Sequence, residues 1–434
     1  MKRTFVRDLP PLIAQRVRVN GFIEAVRDQK RMQFVILRDM TGAVQAVHDK
    51  KDGGAAIATA VSALTPGSAV TLAGHLIGNS QVKLGGVELQ IDEITVLGAA
   101  QSPLPISRDS ALEHQMDWRY VSLRFPQNLL IFKVQTTMEQ AMREFWASNG
   151  FLEIHSPKLM GTASESGAEL FKVPYFGGTA YLAQSPQFYK QMAMAAGFER
   201  IFEIGPVFRA NPSFTSRHDT EFTSVDMEIS WIESHEDVMA MEEAWLAYVI
   251  HRVAKAHGDE IRELCGIEVN VPTLPFPRIT LADARTLLAS QGHHISLKGD
   301  LDPEGERRIA RHIAETTGHE FVFVTDYPVE VRGFYHMRYP DDPETTKSFD
   351  LLWKGLEITT GAQREHRLDR LEAQAVAKGF NLEPLRDYLS FFRYGCPPHG
   401  GMGIGLTRLL MMLLGRNNVR EVTYLYRGPN RLSP

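Results

Sequence analysis

Two arginines set against a glycine-rich run are the residues of this chain best suited to chemistry. The run Gly400-Gly-Met-Gly-Ile-Gly-Leu-Thr-Arg408 has glycine at every second residue from Gly401 to Gly405. On a strand that spacing clears side chains from one face, so a flat ligand can lie on the backbone. Arg408 follows where the apolar run 409–414 begins, the place of a helix start. A second arginine, Arg209, stands in Val207-Phe-Arg-Ala210, at a strand end. Two fixed cations beside a bare strand suit a polyphosphate joined to a purine. A glycine run alone also serves tight packing; the partner arginine is what favours the nucleotide.

A pair of carboxylates points the same way. Ser348-Phe-Asp-Leu-Leu-Trp353 and Leu356-Glu-Ile-Thr359 are joined by Lys354-Gly355, the pattern of a two-residue hairpin. Residue 352 then faces 357, and Asp350 lies diagonally on the same face as Glu357. Diagonal neighbours are ~7–8 Å apart at Cα, close enough for two carboxylates to share one hard cation. Mg2+ accompanying ATP is the expected occupant. Two acids on a hairpin otherwise make a solvated face.

These residues need a scaffold. The first hundred residues read as five short β-rich segments, 17–23, 33–37, 44–47, 70–76 and 87–91, punctuated by glycine and proline. That pattern fits a small Greek-key barrel of the OB type over residues 1–102. Pro103 and Pro105 prevent a continuous helix and predict a stiff extended hinge over 103–127. From Asn128 apolar residues recur at three and four, a helical pattern stopped by Gly150, and 151–157 reads as a short strand. Strands over 201–210 and 221–231, helices over 233–256 and 304–317, and the glycine-rich strand with its helix complete an α+β body over 128–434.

The bulk numbers exclude several classes. At 434 residues the chain needs two or three domains, and 44% hydrophobic with 23% charged residues is ordinary globular composition. The N-terminus has basic residues without a following apolar run, so no signal peptide is expected. No stretch reaches the ~18 apolar residues of a membrane span, and no membrane partner is expected. Two cysteines, Cys265 and Cys396, without metal-ligand spacing suit a reducing cytoplasm. Net charge is −5, but residues 1–100 carry +3 and the remainder −8. A mildly basic N-terminal module on an acidic body can touch RNA locally.

The same segments carry a resemblance. Gln184-Ser-Pro-Gln-Phe-Tyr-Lys-Gln191, Glu221-Phe-Thr-Ser-Val-Asp-Met-Glu228, Gly361-Ala-Gln-Arg-Glu-His366 and Arg393-Tyr-Gly-Cys-Pro-Pro-His-Gly-Gly401 resemble, in order, a class II (subclass IIb) aminoacyl-tRNA synthetase of the aspartyl type, archaeal in style. The likeness runs from about residue 15 to Pro434. It implies an OB-fold anticodon-binding domain, a class II catalytic domain, a homodimer with Pro157 at its interface, and ATP with Mg2+ as cofactors. It implies Arg209 on the α-phosphate and substrate carboxylate, Arg408 near the γ-phosphate and purine, and Arg217 and His218 on the outer phosphates. Phe222 matches the phenylalanine that stacks on adenine, Gly405 belongs to the nucleotide strand, and Asp350 and Glu357 match the metal-binding acids.

For the amino acid, the resemblance puts Lys190 and Arg364 on the side-chain carboxylate of L-aspartate. Asp226, Ser224 and Glu165 are candidates for its ammonium group, and Gln187 for the pocket floor. Two cations around one carboxylate would be left uncompensated by an amide, so discrimination can be large. On the barrel, Phe34 offers a base a stacking face and Gln45 an edge reader, with Glu88 a further anticodon candidate; as an isolated residue Phe34 reads equally as barrel core. Enzymes restricted to tRNA-Asp carry tryptophan where this chain has Glu24, which leans towards charging tRNA-Asn as well. Lys83, which matches a lysine of strict enzymes, and the charge of Glu24 beside RNA lean the other way. Asn211 stands where relatives have an adenine-recognising glutamate, and Gly361-Ala362 and Arg427-Gly-Pro429 also depart from the family pattern. Rival readings are an asparaginyl-tRNA synthetase, opposed by Lys190; a tRNA-independent aspartate-activating amide ligase, opposed by the barrel; and an inactive RNA-binding protein, opposed by the intact arginines and acids.

Overall fold

The computed structural model describes residues 2–162, 169–212 and 215–433, which divide into two compact units at Trp118/Arg119. In the first, strands β1 (Arg16–Asp28), β2 (Met32–Asp39), β3 (Gly42–Asp49), β4 (Ala69–Gly78) and β5 (Val87–Gly98) form a closed barrel in the order β1-β2-β3-β5-β4. Closure leaves no sheet edge unpaired. Alternation sorts the side chains. On β2, Val35 and Leu37 enter the core with Val17, Val44, Leu72 and Leu89, while Phe34 and Ile36 point outward. A β-bulge at Glu24 bends β1, and helix α1 (Ala55–Ser62) lies between β3 and β4.

The stretch predicted as an extended hinge is partly helical. Helix α2 (Leu112–Asp117) ends the first unit, α3 (Arg119–Ser122) opens the second, and α4 (Pro126–Ser148) begins two residues before Asn128. Pro126 explains that start, since proline is preorganised for the first helical position. The strand expected over 151–157 contracts to β6 (Leu152–Glu153).

Short strands β7 (Leu159–Met160), β8 (Lys172–Tyr175) and β9 (Gly178–Leu182) form a small sheet. Helix α5 (Gln187–Ala195) leads into β10 (Arg200–Phe208) and β11 (Glu221–Ser230), followed by α6 (His235–Cys265), β12 (Arg278–Thr280), α7 (Leu281–Ser290), α8 (Pro303–Thr317) and β13 (Phe321–Thr325). Strands β14 (Ser348–Trp353) and β15 (Leu356–Arg364), helices α9 (Leu368–Ala377) and α10 (Arg386–Ser390), and then β16 (His399–Gly405), α11 (Leu406–Leu413) and α12 (Val419–Val422) complete the unit. The main sheet runs β12-β13-β14-β15-β16-β11-β10-β6, antiparallel except for the β12/β13 and β6/β10 pairs.

One face of this sheet is sealed by α4 and α6, whose Met138, Met142, Trp245 and Val249 pack on Met227, Ile358, Met402 and Ile404. The Trp146 and Trp245 rings stack at 4.8 Å between centroids. Helix α6 is long because both ends are capped: Ser234 and Asp237 form a capping box, and Gly266 adopts the left-handed conformation at its C-terminus. With one face closed, the other is left for the site.

Candidate active site

The open face carries a cleft of about 430 Å³, lined mainly from β11, β15, β16 and the start of α11. Its width is written in the pairing of β11 with β16. Ser224 faces Gly405, Asp226 faces Gly403 and Glu228 faces Gly401. A Cβ on Gly403 would stand 2.9 Å from Asp226 Oδ1, and one on Gly401 would overlap the Glu228 carboxylate. The bare strand predicted to receive a flat ligand therefore also makes room for two acids on its neighbour.

Those acids hold the two cations expected to bind substrate. Lys190 Nζ, from α5, lies 2.9 Å from Asp226 Oδ1 and 3.3 Å from Glu228 Oε2, and donates to the Met402 carbonyl at 3.1 Å. Arg364 Nε donates to Glu228 Oε1 at 3.0 Å, and its Nη2 to the Gly401 carbonyl at 2.9 Å. Ser224 Oγ donates to Asp226 Oδ2 at 2.5 Å. Burial alone would raise the Glu228 carboxyl, but Arg364 and Lys190 outweigh it and hold it below the usual range. The expectation of two cations awaiting one carboxylate is corrected on this point: the floor is a neutral quartet of Lys190, Arg364, Asp226 and Glu228. Glu228 sits two residues after Asp226 on the same strand face, a period-2 signal present in the sequence.

Beneath the quartet lies a neutral network. Gln187 Nε2 donates to Gln191 Oε1 at 3.1 Å, which also accepts from Tyr388 Oη at 2.9 Å. Gln191 Nε2 meets His399 Nε2 at 3.1 Å, and His399 Nδ1 meets the Pro397 carbonyl at 2.8 Å. The carbonyl must accept, so Nδ1 carries the proton and Nε2 accepts from Gln191. Burial pushes His399 down to about 4, against the pull of Glu228.

A second cluster forms around the arginines. Arg209 leans over Phe222, its guanidinium carbon 5.5 Å from the ring centroid. Arg408 Nη1 donates to the Glu357 carbonyl at 3.0 Å and lies 3.6 Å from Glu357 Oε1. Arg217, His218, Asn211 and Gly405 line the same cleft. Arg217 Nη1 donates to Glu306 Oε2 at 3.2 Å, and the Glu357 amide donates to the same oxygen at 3.3 Å. Burial pushes Glu306 and Asp219 up to about 7, opposed in Glu306 by Arg217 and in Asp219 by nearby Thr407 and Arg408. Neither acid was singled out from sequence, because nothing local marks a helix or loop acid as buried.

The hairpin forms as predicted, with Lys354 and Gly355 both at positive φ and Leu352 opposite Glu357. A bulge at Ile358 then sets Asp350 opposite Thr360, whose Oγ1 donates to Glu357 Oε1 at 3.3 Å. Asp350 Oδ2 is already 2.7 Å from Arg332 Nη2, a partner the sequence did not reveal. Burial raises Glu357, with Arg408 opposing and Asp350 reinforcing. A divalent cation would relieve that strain. Among the described residues no cluster of three metal-ligating side chains occurs; Glu357 and Asp350 are the acids here that would hold a divalent cation. Glu165 lies outside the described residues, and Glu169 lines the cleft beside them.

On the barrel, Phe34 lies on the outer face and outside the core cluster, which removes the core reading of that residue. Gln45 and Glu88 share that face, pair in register, and bond from Nε2 to Oε1 at 2.5 Å. Glu24 is bracketed by Arg38 Nε at 2.6 Å and Arg108 Nη2 at 2.7 Å. Its charge is thus offset on both sides, which weakens the repulsion expected towards RNA. Lys83 is exposed in the β4–β5 loop, and Pro157 is exposed between β6 and β7.

Comparison with known proteins joins the two units. Residues 111–427 match the model for tRNA synthetases class II (D, K and N), and residues 17–97 match the OB-fold nucleic acid binding domain. The chain belongs to the class II tRNA synthetases of the D, K and N group. It is 42% identical to the aspartate–tRNA(Asp/Asn) ligase of Methanopyrus kandleri over the whole of both chains. It is 40% identical to the aspartate–tRNA(Asp) ligase of Pyrococcus abyssi, over 98% of this chain and 97% of the relative. The asparaginyl-tRNA synthetase of Pyrococcus horikoshii, solved with asparaginyl-adenylate, superposes with a TM-score of 0.93 at 31% identity over both complete chains. The aspartyl tRNA synthetase of Entamoeba histolytica gives 0.90 at 30% identity, over 100% of this chain and 93% of the other.

Proposed function

We propose that this synthetase activates L-aspartate with ATP and transfers it to the 3′ end of tRNA-Asp, with tRNA-Asn a second acceptor. The buried quartet carries the amino-acid assignment. It is neutral before substrate binds. Aspartate brings its ammonium to Asp226 and its side-chain carboxylate to Lys190 and Arg364, so the floor remains neutral, while Arg209 meets the α-carboxylate. Asparagine brings the ammonium without the carboxylate and leaves one uncompensated positive charge in a buried site, at a cost of several kcal/mol. Likeness in fold to asparaginyl enzymes does not alter this count, because the fold is common to both specificities.

Activation needs two anions brought together and the leaving pyrophosphate neutralised, so position and fixed charge dominate. Arg209, Arg217 and Arg408 supply that charge, and Phe222 offers the adenine a stacking face. Burial and those arginines hold the His218 imidazole below its ordinary value, so it offers a neutral hydrogen-bonding group. Glu357, with Asp350 steered by Arg332, would hold Mg2+, which supplies further neutralisation at the phosphates. The exposed Pro157, together with Leu152 and Leu159, which are 54% and 47% exposed, supports a homodimer through this edge. No helix of the described residues is long and apolar enough to cross a membrane; the tRNA-charging function itself is what supports a cytoplasmic enzyme acting on RNA rather than DNA. Pyrophosphate exchange with aspartate should exceed that with asparagine by about a hundredfold or more, roughly 2.7 kcal/mol. Equal rates would overturn the assignment. Aspartylation of purified tRNA-Asp and tRNA-Asn side by side tests the acceptor; a hundredfold preference for tRNA-Asp would remove the second one.

A further inference from the structure

A second cavity of the catalytic unit, about 400 Å³, lies between one face of α9 and the 338–343 loop. Three arginines, Arg338, Arg367 and Arg370, line it against a single acid, Glu365. Glu365 is spent on Arg367, which grips both its oxygens at 2.8 and 2.7 Å. Arg370 is 67% exposed, with its nearest acid oxygen 3.9 Å away on Asp369, and Arg338 makes one long bond, 3.4 Å, to the Pro343 carbonyl. A wall of net charge +2 on a body of net −8 is a local reversal of sign, and such walls collect anions.

Its position narrows the anion. His336 and Arg364 line the active-site cleft, and their near neighbours Arg338 and Glu365 line this groove. Gln374 of α9 ties the two together, donating to the Phe334 and His336 carbonyls at 2.6 and 3.1 Å. The groove floor includes Tyr339, Pro340 and Pro343, flat apolar surface suited to riboses and bases. We propose that this groove takes the sugar–phosphate backbone of the tRNA close to its 3′ end, with Arg338 and Arg370 on phosphates. The proposal rests on the tRNA-charging function and deepens it by naming where the acceptor strand is held.

The test uses the full-length chain carrying Arg338→Ala and Arg370→Ala together; Arg367 is left in place because it neutralises Glu365. Wild-type pyrophosphate exchange with aspartate tests the activity itself, separately from the groove. In the double variant exchange stays within about twofold of wild type, tRNA binding measured directly by anisotropy weakens about tenfold, and the slope of log affinity against log salt becomes shallower by about 2. The Arg338→Lys, Arg370→Lys pair restores most of the affinity. Unchanged tRNA affinity and slope would overturn the proposal. So would a changed oligomeric state in ultracentrifugation, which would assign the groove to a second copy of the chain. Inorganic phosphate relieved as an inhibitor of exchange in the variant, with tRNA affinity intact, would reassign it to a free anion.

Discussion

The floor of the amino-acid pocket and the outer face of the barrel use the same pairs of residue types to different effect. In the pocket, Lys190 and Arg364 meet Asp226 and Glu228 with side chains no more than 5% exposed. On the barrel, Arg38 and Arg108 meet Glu24 with side chains 26–50% exposed. Water screens the second set, so each pair contributes ~0–1 kcal/mol and can be traded without consequence for the fold. The first set is out of water, so charge must balance at all times, and on the function proposed above a substrate is selected by whether it preserves the balance. On that proposal, selectivity for the amino acid follows from burial, whereas the barrel adjusts how RNA is read.

Removing one member of the quartet should break this contrast most sharply. Lys190→Met leaves two acids against one arginine; aspartate exchange should fall by a factor on the order of 10²–10³, from the roughly 3–5 kcal/mol cost of an unpaired buried charge, while ATP binding measured by calorimetry persists. Glu228→Gln should cost comparably in exchange. If either variant kept near-wild-type exchange, burial would not be what sets selectivity.

A buried acid without a cation sharpens the same point. Glu242 on α6 has no exposed surface and no cationic neighbour among the causes of its shift, and burial pushes its carboxyl up to about 8. Because the folded-state value is raised, its contribution to stability is complete below about pH 4.5 and is lost as pH rises towards 8. Glu242→Gln should therefore gain on wild type across that window, by ~4 kcal/mol at pH 8 and ~1 kcal/mol at pH 5. Denaturant titrations at the two pH values measure it; a gain equal at both would show the carboxyl to be ionised throughout.

Effects on the barrel should be smaller and confined to tRNA. Phe34→Ala should weaken tRNA charging by the ~1–3 kcal/mol of a lost base stack and leave aspartate exchange unchanged. Its outward direction predicts an unchanged melting temperature, and a marked drop would return it to the core. Smallest of all, Glu24→Gln should alter stability by ~0–1 kcal/mol and shift the ratio of tRNA-Asn to tRNA-Asp charging only a few-fold, read in side-by-side aspartylation.

Much of this was legible in the residues. β-rich composition over 33–37 and 44–47 between glycine-bearing breaks foretold barrel strands, Lys354-Gly355 foretold a hairpin that forms with both residues at positive φ, and the 3.6-residue pattern after Asn128 foretold the helix that closes the sheet. Local signals of this kind survive because backbone preference and side-chain pattern act within a few residues. Arg209 and Arg408 were likewise singled out by type and spacing, Lys190 and Arg364 by the resemblance to aspartyl enzymes, and the cleft gathers all four.

What the sequence could not supply was partnership across the fold. That Glu228, opposite Gly401, pairs with both Lys190 and Arg364, and with Asp226 balances their charge, depends on β11 pairing with β16 and on α5 delivering Lys190 from 38 positions earlier. Arg332 on Asp350, Glu306 on Arg217 and the paired charge of Glu24 join residues 14 to 89 positions apart. The hinge is partly helical because Pro103 and Pro105 bar a continuous helix only near themselves, and the short helices at 112–117 and 119–122 lie beyond them. Residue identity determined which charges the protein possesses. Tertiary structure decided which of them leave water together, and in a low dielectric that decision sets the pKa values and, on the proposed function, the selectivity.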